Sequence, residues 1–196
     1  MKLRTNALIG GTLVACVTVV ALLSLLWTPY NPMAVGLRQR LQPPSATYWL
    51  GTDEFGRDIL SRLMAGAGTS LLIAATTVIL ALVIGVVIGL LAGYFRGWVD
   101  RLLMLFNDAM LAFPGILFAL GVMVVVGANK YGIIVALALA FAPSAVRVVR
   151  GSVLSLREKE FVEASRVIGN SNMRTVFAHI LPNCVAPLVV LGTSMF

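Results

Sequence analysis

Charged residues are scarce in this chain, and their scarcity excludes an ordinary soluble domain. Only 12% of its 196 residues are Asp, Glu, Lys or Arg, whereas about a quarter is usual for soluble proteins. Hydrophobic residues make up 59% of the chain, and the mean hydropathy is +0.95. Because a backbone in lipid must satisfy its own hydrogen bonds, this composition predicts an all-α, polytopic membrane helical bundle.

Side chains that commonly carry out chemistry are also scarce. A single histidine, His179, excludes a histidine cluster or an H-E-x-x-H motif, so we expect no metal site. We expect a packing or surface role for His179, because no nucleophile or orienting acid stands near it. The two cysteines, Cys16 and Cys184, are expected to be small buried thiols. No G-x-x-x-x-G-K-[ST] loop is present to hold phosphates. We therefore predict a non-catalytic subunit without a cofactor.

Long uncharged runs are what the sequence has instead. A membrane-spanning helix needs about 20 apolar residues, and the first three of four runs reach that length. The fourth can extend to Val149 if Arg147 places its charge among the headgroups. The runs cover residues 7–27, 69–95, 109–129 and 131–146.

A fifth apolar run, 184–196, has only 13 residues when the sequence stops. At about 1.5 Å per residue it extends roughly 20 Å, short of a hydrocarbon core of about 30 Å. A free carboxylate at that depth is costly. We therefore expect a bundle truncated within its fifth span, which lacks the rest of that helix and at least one more.

Basic residues predict the orientation. Lys2 and Arg4 precede the first run and place the N-terminus in the cytoplasm. That run is too long for a signal peptide and lacks an A-x-A-like cleavage site, so we expect an uncleaved span. Alternation then puts the 147–182 segment inside and the 28–68 segment outside, although the latter carries four arginines. The net charge of +7 is assigned to topology and lipid headgroups, not to nucleic acid.

The 28–68 segment is expected to end in a short amphipathic helix on the outer membrane surface, capped by Asp58. A polar motif, G-T-D-x-x-G-R-D, leads into it. We expect its charged side chains to cap and cross-link a turn, with substrate contact as the alternative. The motif residues are Gly51, Thr52, Asp53, Gly56, Arg57 and Asp58.

Small residues recur every four positions in the second run, at Ala81, Gly85, Gly89 and Gly93. Such a row forms a ridge without side chains on one helix face, so another helix can approach closely. We predict a packing face, directed either into the core of this chain or towards a partner subunit.

Two prolines and one acid mark the third and fourth runs. Pro114 and Pro143 each remove a helical hydrogen bond, so a kink is expected at both, and it would serve either a moving pathway or a static bundle. Asp108 begins the third span, and an ionisable residue in a span is a candidate for a functional role. An interfacial carboxylate near Arg101, two turns away, is the preferred interpretation.

A charged insert, 155–182, lies between two apolar runs and is predicted to fold as a helix–turn–helix. Ser155 and Glu158 have the spacing of a capping box, which would start the first helix. Gly169 supplies a turn with positive φ, Ser171 can cap the second helix, and Pro182 ends it. Two apolar helix faces are predicted. Their residues are Phe161, Ala164 and Ile168, and then Met173, Val176, Phe177, Ile180 and Leu181.

This insert resembles the cytoplasmic EAA loop of permease subunits in binding-protein-dependent ABC importers. The family pattern is E-A-A, three residues, G, nine residues, then I-x-L-P. Glu163, Ala164 and Ser165 match its start, Gly169 its glycine, and Leu181–Pro182 its end. Ser165 replaces the third small residue, and His179 stands where isoleucine is usual. The G-T-D-x-x-G-R-D motif is similar to the N-terminal region of one permease type in dipeptide, oligopeptide and nickel importers.

The resemblance implies a type I importer permease fold in a bacterial inner membrane. Residues 1–68 would form an N-terminal span with an external segment, and 69–196 the core transmembrane domain. It also implies four kinds of partner: a homologous second permease, two cytoplasmic ATPases, an extracytoplasmic solute-binding protein, and membrane lipid. The 155–182 loop would couple to the ATPases. Di- or oligopeptides are the expected cargo, with nickel or another small solute as the alternative.

Two other classes of function are weighed against this one. A membrane-anchored regulator could use the basic helix–turn–helix to bind DNA, but the adjacent apolar run would block entry into a groove. A channel or secondary transporter would need no ATPase, but such folds usually carry ionisable groups at mid-membrane. No central charge interrupts the predicted spans.

Overall fold

The computed structural model describes residues 5–196, except for the side chain of Asn6. Lys2 and Arg4, on which part of the predicted topology depends, lie outside the described residues. The chain divides into two compact units, Met1–Leu72 and Ile73–Phe196. Within the described residues the regular elements are all helical, and the only β-type pairing is an isolated bridge between Thr52 and Asp58.

The first unit contains helix α1, Thr5–Leu26, a short 3-10 turn at Leu37–Gln39, and the start of helix α2. Helix α2 begins at Ile59 and runs without interruption to Phe95, over 37 residues. The prediction of a separate short helix on the membrane surface is therefore wrong. Gly66 and Gly68 weaken a helix but do not end one, and apolar residues with good helix propensity follow them.

The second unit holds the rest of α2 and the remaining helices. Four helices of the described chain are long and apolar enough to cross a membrane, or five if a bent pair counts as one span. After α2, the second unit contains α3 (Gly97–Leu111), α4 (Gly115–Val126), α5 (Lys130–Leu156), α6 (Glu160–Val167), α7 (Asn172–Thr175) and α8 (Val185–Met195).

The bent pair is α3 and α4, which meet at an angle of 96°. Pro114 stands immediately before α4 with ψ 123°, outside the helical region. The predicted third span is therefore broken at its proline. Pro143, in contrast, lies inside α5, which continues as one helix to Leu156. The fourth span is correspondingly longer than the predicted 131–146.

Helix α7 continues into α8 through a π-helical turn, Val176–Ile180, and a 3-10 turn, Leu181–Cys184. The prediction that Pro182 ends the helix is wrong, since Asn172–Met195 forms one helical path of 24 residues. The backbone N–H of Leu181 donates to the carbonyl of Val176, five residues back. The wider turn lets the path pass a proline, because Pro182 falls at the start of the 3-10 turn, where its missing N–H costs little.

The core of the second unit joins the ends of α2 and α5 to the polar insert. Its buried members come from both long helices, from α6, and from the path after α7. They are Leu90, Tyr94, Val149, Val153, Val162, Val176, Ile180 and Cys184. The insert is therefore packed on the transmembrane helices by apolar side chains and does not form an independent loop.

Candidate functional site

The polar insert begins later than the sequence predicts. Helix α5 extends to Leu156, and the Ser155 hydroxyl donates to the Ser152 carbonyl at 3.1 Å within that helix. The predicted capping box of Ser155 and Glu158 is therefore wrong. Val153 is fully buried in the core, and its burial favours the extension of α5 beyond the point where a local cap would start a new helix.

The turn between α6 and α7 has the predicted geometry. Gly169 has φ +82°, in the left-handed region that favours glycine. The Asn170 amide donates to the Ser165 hydroxyl at 3.1 Å. The Arg174 N–H donates to the Ser171 hydroxyl at 3.3 Å, as expected of an N-cap.

Inside the insert, a pair of hydroxyls joins α6 to α7. Ser165 and Thr175 are both buried, and their oxygens lie 3.0 Å apart. Val162 lies one turn before Ser165 and is also buried. The contact of Thr175 with Ser165 was not predicted from the sequence, because the two residues are ten positions apart and on different helices.

Tyr94, near the end of α2, holds the insert from the membrane side. Its hydroxyl donates to the Asn172 side-chain oxygen at 2.8 Å, and its carbonyl accepts from the Arg157 guanidinium at 3.0 Å. The Arg166 guanidinium lies over its ring, 5.4 Å from the centroid. Tyr94 is only 6% exposed. It therefore ties α2 to the start of the insert, to α6 and to the first residue of α7, and no local sequence signal indicated these contacts.

The outer side of the insert exposes large apolar side chains beside charged ones. The predicted face of the second helix is divided, because Val176 and Ile180 are buried whereas Met173 and Phe177 are exposed. We call the exposed apolar set the coupling surface, after the role that is proposed for it under Proposed function. It consists of Phe161, Val167, Ile168, Met173 and Phe177.

The remaining residues of the EAA-like pattern lie around this surface. Glu163, Ala164 and Pro182 are exposed, while His179 and Leu181 are half-buried. The His179 carbonyl accepts from the Asn183 amide at 2.7 Å. Within residues 5–196, Glu163 forms no ion pair. Its charge therefore remains available at the rim of the coupling surface.

The predicted row of small residues faces α5. Ala81, Gly85, Gly89 and Gly93 are all buried. A Cβ atom built on Gly89 would lie 2.6 Å from the Val149 Cβ, and one on Gly93 would lie 2.8 Å from the Val153 Cβ. These distances leave no room for a side chain. The row thus faces a helix of the same chain, the helix that leads into the insert.

Two ion pairs join α3 to α5. The Arg150 guanidinium donates to both Asp100 carboxylate oxygens, at 2.6 and 2.7 Å. Arg147 donates to Asp108 at 2.8 Å. The predicted neighbour of Asp108, Arg101, instead lies over the Trp98 ring. Arg101 lies two turns from Asp108, about 10 Å along the helix axis. Arg147 on the facing helix α5 is therefore the closer partner of Asp108.

The polar motif of the first unit is internally cross-linked. Asp53 accepts from the N–H groups of Phe55 and Arg57 at 2.9 Å, from the Arg57 guanidinium at 2.8 Å, and from Arg62. Asp58 caps α2 by accepting from the Ser61 N–H at 2.8 Å.

The uncharged residues of the motif close the same turn. The Thr52 hydroxyl donates to the Gln39 carbonyl. Gly51 and Gly56 have φ +77° and +72°, and a Cβ on Gly56 would clash with the Gly36 carbonyl. These contacts favour a structural role for the motif over contact with substrate.

The Asp53 carboxyl gives this motif a predictable pH dependence. Partial burial raises its pKa, but the N–H groups of Arg57 and Phe55 and the Arg57 guanidinium outweigh this effect and lower the pKa from 3.8 to about 2. A folded-state pKa below the unfolded value means that ionised Asp53 stabilises the fold. This contribution is complete above the unfolded value of 3.8 and disappears as the pH falls through the folded pKa of about 2.

We therefore expect hydrogen exchange in residues 53–62 to show strong protection at neutral pH and to lose it only as the pH approaches 2. Asp53→Asn should show less protection than the wild type at neutral pH and the same protection as the wild type near pH 2. Exchange rates corrected for their intrinsic pH dependence provide the measurement. A wild type that loses protection just below neutral pH would contradict this assignment.

The apolar helices, the buried glycine contacts between α2 and α5 and the packed polar insert together define a multi-pass helical membrane protein. Residues 85–196 match the family described as binding-protein-dependent transport system inner membrane component. The chain belongs to this family.

Curated relatives are named as peptide, dipeptide or glutathione transport system permease proteins. A putative peptide transport system permease protein of Brucella suis is 42% identical over 193 residues, 98% of this chain and 65% of the relative. The dipeptide transport system permease protein DppC of Alkalihalophilus pseudofirmus is 39% identical over 196 residues, 100% of this chain and 64% of the relative. The glutathione transport system permease protein GsiD of Escherichia coli is 43% identical over 157 residues, 78% and 52% of the two chains. The chain spans slightly less than two thirds of the length of its peptide-permease relatives.

Proposed function

We propose that this protein is a permease subunit of an ATP-driven importer of di- or oligopeptides in a bacterial inner membrane. It contributes half of the translocation pathway and hydrolyses no ATP itself. Its N-terminus is cytoplasmic. The family and the names of the relatives support this function. The observation that supports this function most directly is the coupling surface. Its exposed apolar side chains lie on an insert that is packed against α2 and α5.

The partners follow from the same proposal. A homologous second permease completes the pathway, and an extracytoplasmic binding protein delivers the peptide. Two cytoplasmic ATPases supply the energy, and one of them covers the coupling surface. Exposed apolar patches rimmed by charges are typical of protein interfaces, and Glu163 and Arg166 supply such a rim.

The internal contacts of the insert give it the stiffness that a lever needs. The Ser165–Thr175 pair joins α6 to α7, and Tyr94 contacts α6 through Arg166 and α7 through Asn172. When ATP closes the ATPase dimer, the insert is displaced as one body. Because its core side is continuous with α5 and packed on α2, the displacement moves the spans between inward- and outward-facing arrangements.

Removal of the Tyr94 hydroxyl should loosen this lever without unfolding it. Tyr94→Phe keeps the ring under Arg166 but loses the hydrogen bond to Asn172, which is worth about 1 kcal/mol. We expect more ATP to be hydrolysed per peptide transported, by a factor of about 2 to 10, since 1.4 kcal/mol corresponds to tenfold. Tyr131→Phe, on an exposed side chain in α5, is the matched control. If Tyr94→Phe left the ratio of ATP hydrolysed to peptide transported unchanged, Tyr94 would have no role in coupling.

The substrate is tested by uptake in cells from which the gene is deleted and then restored. Labelled dipeptide and labelled nickel are offered in parallel. We expect loss of dipeptide uptake alone, with recovery on restoration. Loss of nickel uptake alone would make the protein a metal permease, and no change in either would assign it another solute.

A further inference from the structure

Helix α3 has one face against α5 and the opposite face uncovered. Asp100 pairs with Arg150 on the inner side, and Asn107 on the same side is only 5% exposed. The outer side carries a stripe of large apolar residues with spacing i, i+4, i+7 and i+8, which are 53–82% exposed. The stripe consists of Trp98, Leu102, Leu105 and Phe106. This spacing places all four on one helix face.

Neither α3 nor α4 is long enough to cross a membrane alone. Helix α3 has 15 residues and α4 has 12, which correspond to about 22 Å and 18 Å against a core of about 30 Å. The 96° bend prevents them from adding their lengths in one direction. The turn from α2 into α3 is also sharp, because Arg96 and Gly97 have φ +55° and +61°.

Charged anchors at both ends of α3 fix its depth. Asp100 lies in its first turn and Asp108 in its last, about 12 Å apart along the axis. Both pair with arginines in the C-terminal half of α5, and the Asp108–Arg147 pair is exposed. Charges are costly in hydrocarbon, so both ends of α3 belong at the polar level of the membrane. A helix with both ends at that level lies along the surface.

We propose that α3 is an interfacial helix that binds anionic phospholipid, with its apolar stripe at the acyl boundary and Arg96 and Arg101 on the lipid phosphates. Trp98 is the residue type favoured at this boundary, and the Arg101 guanidinium lies 5.8 Å from its ring centroid. Within residues 5–196, Arg101 has no carboxylate partner. In the described part of the chain, the one ion pair of Arg96 is with Glu158, at 3.8 Å.

The combination of stripe and cations favours lipid over a protein partner. Arg96 precedes the first turn of α3 and Arg101 lies in its second turn, beside the aromatic and aliphatic side chains of the stripe. Cations placed next to an apolar helix face match the negative headgroups of a membrane surface. The proposal depends on the membrane location of the family and not on the transported solute. Its failure would leave the proposed function unaffected.

The depth of the stripe is measured in the assembled transporter, in nanodiscs. A fluorescent amino acid is encoded at Leu102, and at Leu120 on α4 in a control. Nitroxide lipids then quench it, labelled either near the glycerol or near the end of the acyl chain. We expect shallow labels to quench position 102 most and deep labels to quench position 120 most. Strongest quenching of position 102 by the deep label would make α3 part of a span, and an absence of lipid quenching would show that protein covers it. Either result overturns the proposal.

Headgroup selectivity is measured at the same position. Headgroup-labelled phosphatidylglycerol should quench position 102 several-fold more than headgroup-labelled phosphatidylcholine. The combined variant Arg96→Gln and Arg101→Gln should remove the preference, whereas Arg96→Lys with Arg101→Lys should retain most of it. Equal quenching by the two lipids in the wild type would refute recognition of anionic headgroups.

Discussion

Replacing Gly169 with valine is expected to abolish peptide uptake while ATP hydrolysis by the partner subunits continues. Gly169 has φ +82°, and an L-residue pays about 1–2 kcal/mol in the left-handed region, with more for a β-branched side chain. A Cβ at this position would meet no atom within 4 Å. The penalty therefore acts only on the backbone turn, which sets the angle between α6 and α7. Uptake and ATPase rates of the reconstituted transporter provide the measurement.

Gly169→Asn is the matched control, because asparagine tolerates positive φ. We expect it to retain most uptake, although its side chain is larger than a hydrogen.

Glu163→Lys reverses a charge at the rim of the coupling surface. It should also uncouple ATP hydrolysis from transport while the spans remain inserted. Wild-type uptake by both Gly169→Val and Glu163→Lys would refute the role of this loop.

Replacing Gly89 with leucine is expected to prevent stable assembly of the second unit. Its Cβ would stand 2.6 Å from the Val149 Cβ and 2.9 Å from the Val146 carbonyl oxygen. Overpacking in a well-packed core costs about 1–3 kcal/mol, and more when backbone must move. The carbonyl belongs to α5 and cannot rotate away as a side chain end could. We expect a large loss of thermal stability in detergent and little protein in the membrane.

Gly151→Leu serves as the control, since it lies on α5 and a Cβ there meets no atom within 4 Å. It adds the same side chain on a helix of the same unit and should leave the thermal midpoint nearly unchanged. Equal destabilisation by the two substitutions would mean that leucine is generally harmful in these helices. In that case the destabilisation by Gly89→Leu would not be due to the close contact of α2 with α5.

Local signals predicted the parts of the structure that depend on local physics. The turn at Gly169, the cap at Ser171 and the cap at Asp58 each involve partners within four residues. The apolar runs likewise predicted a helical membrane bundle, because length and hydropathy alone decide whether a helix can span lipid.

Long-range packing explains the errors. Ser155 has the residues of a capping box around it, but burial of Val153 draws α5 past it. Pro182 was expected to end a helix, and a π-helical turn preceding it keeps the path continuous. Asp108 pairs with a residue 39 positions away. The outcomes at Ser155 and Asp108 cannot be seen from a short window, because each depends on which helix lies opposite.

The candidate site was predicted in part. The pattern of Glu163, Gly169 and Leu181 identified the segment, but it did not show which side chains face inwards. Tyr94 and Thr175 hold the insert in place, and neither belongs to the pattern. Their partners lie on other helices, so the attachment of the insert to α2 emerges only from the structure.

The central claim is that the coupling surface docks on a separate ATPase, and site-directed photo-crosslinking tests it most directly. A photoreactive amino acid is placed in living cells at Phe161 and at Phe177, both exposed, with Leu117 on α4 as a control position. We predict that the first two positions cross-link to one polypeptide, identified by mass spectrometry as a nucleotide-binding subunit, and that the control does not. Cross-links to lipid alone at all three positions would contradict the claim and would favour a channel or secondary transporter that works without an ATPase.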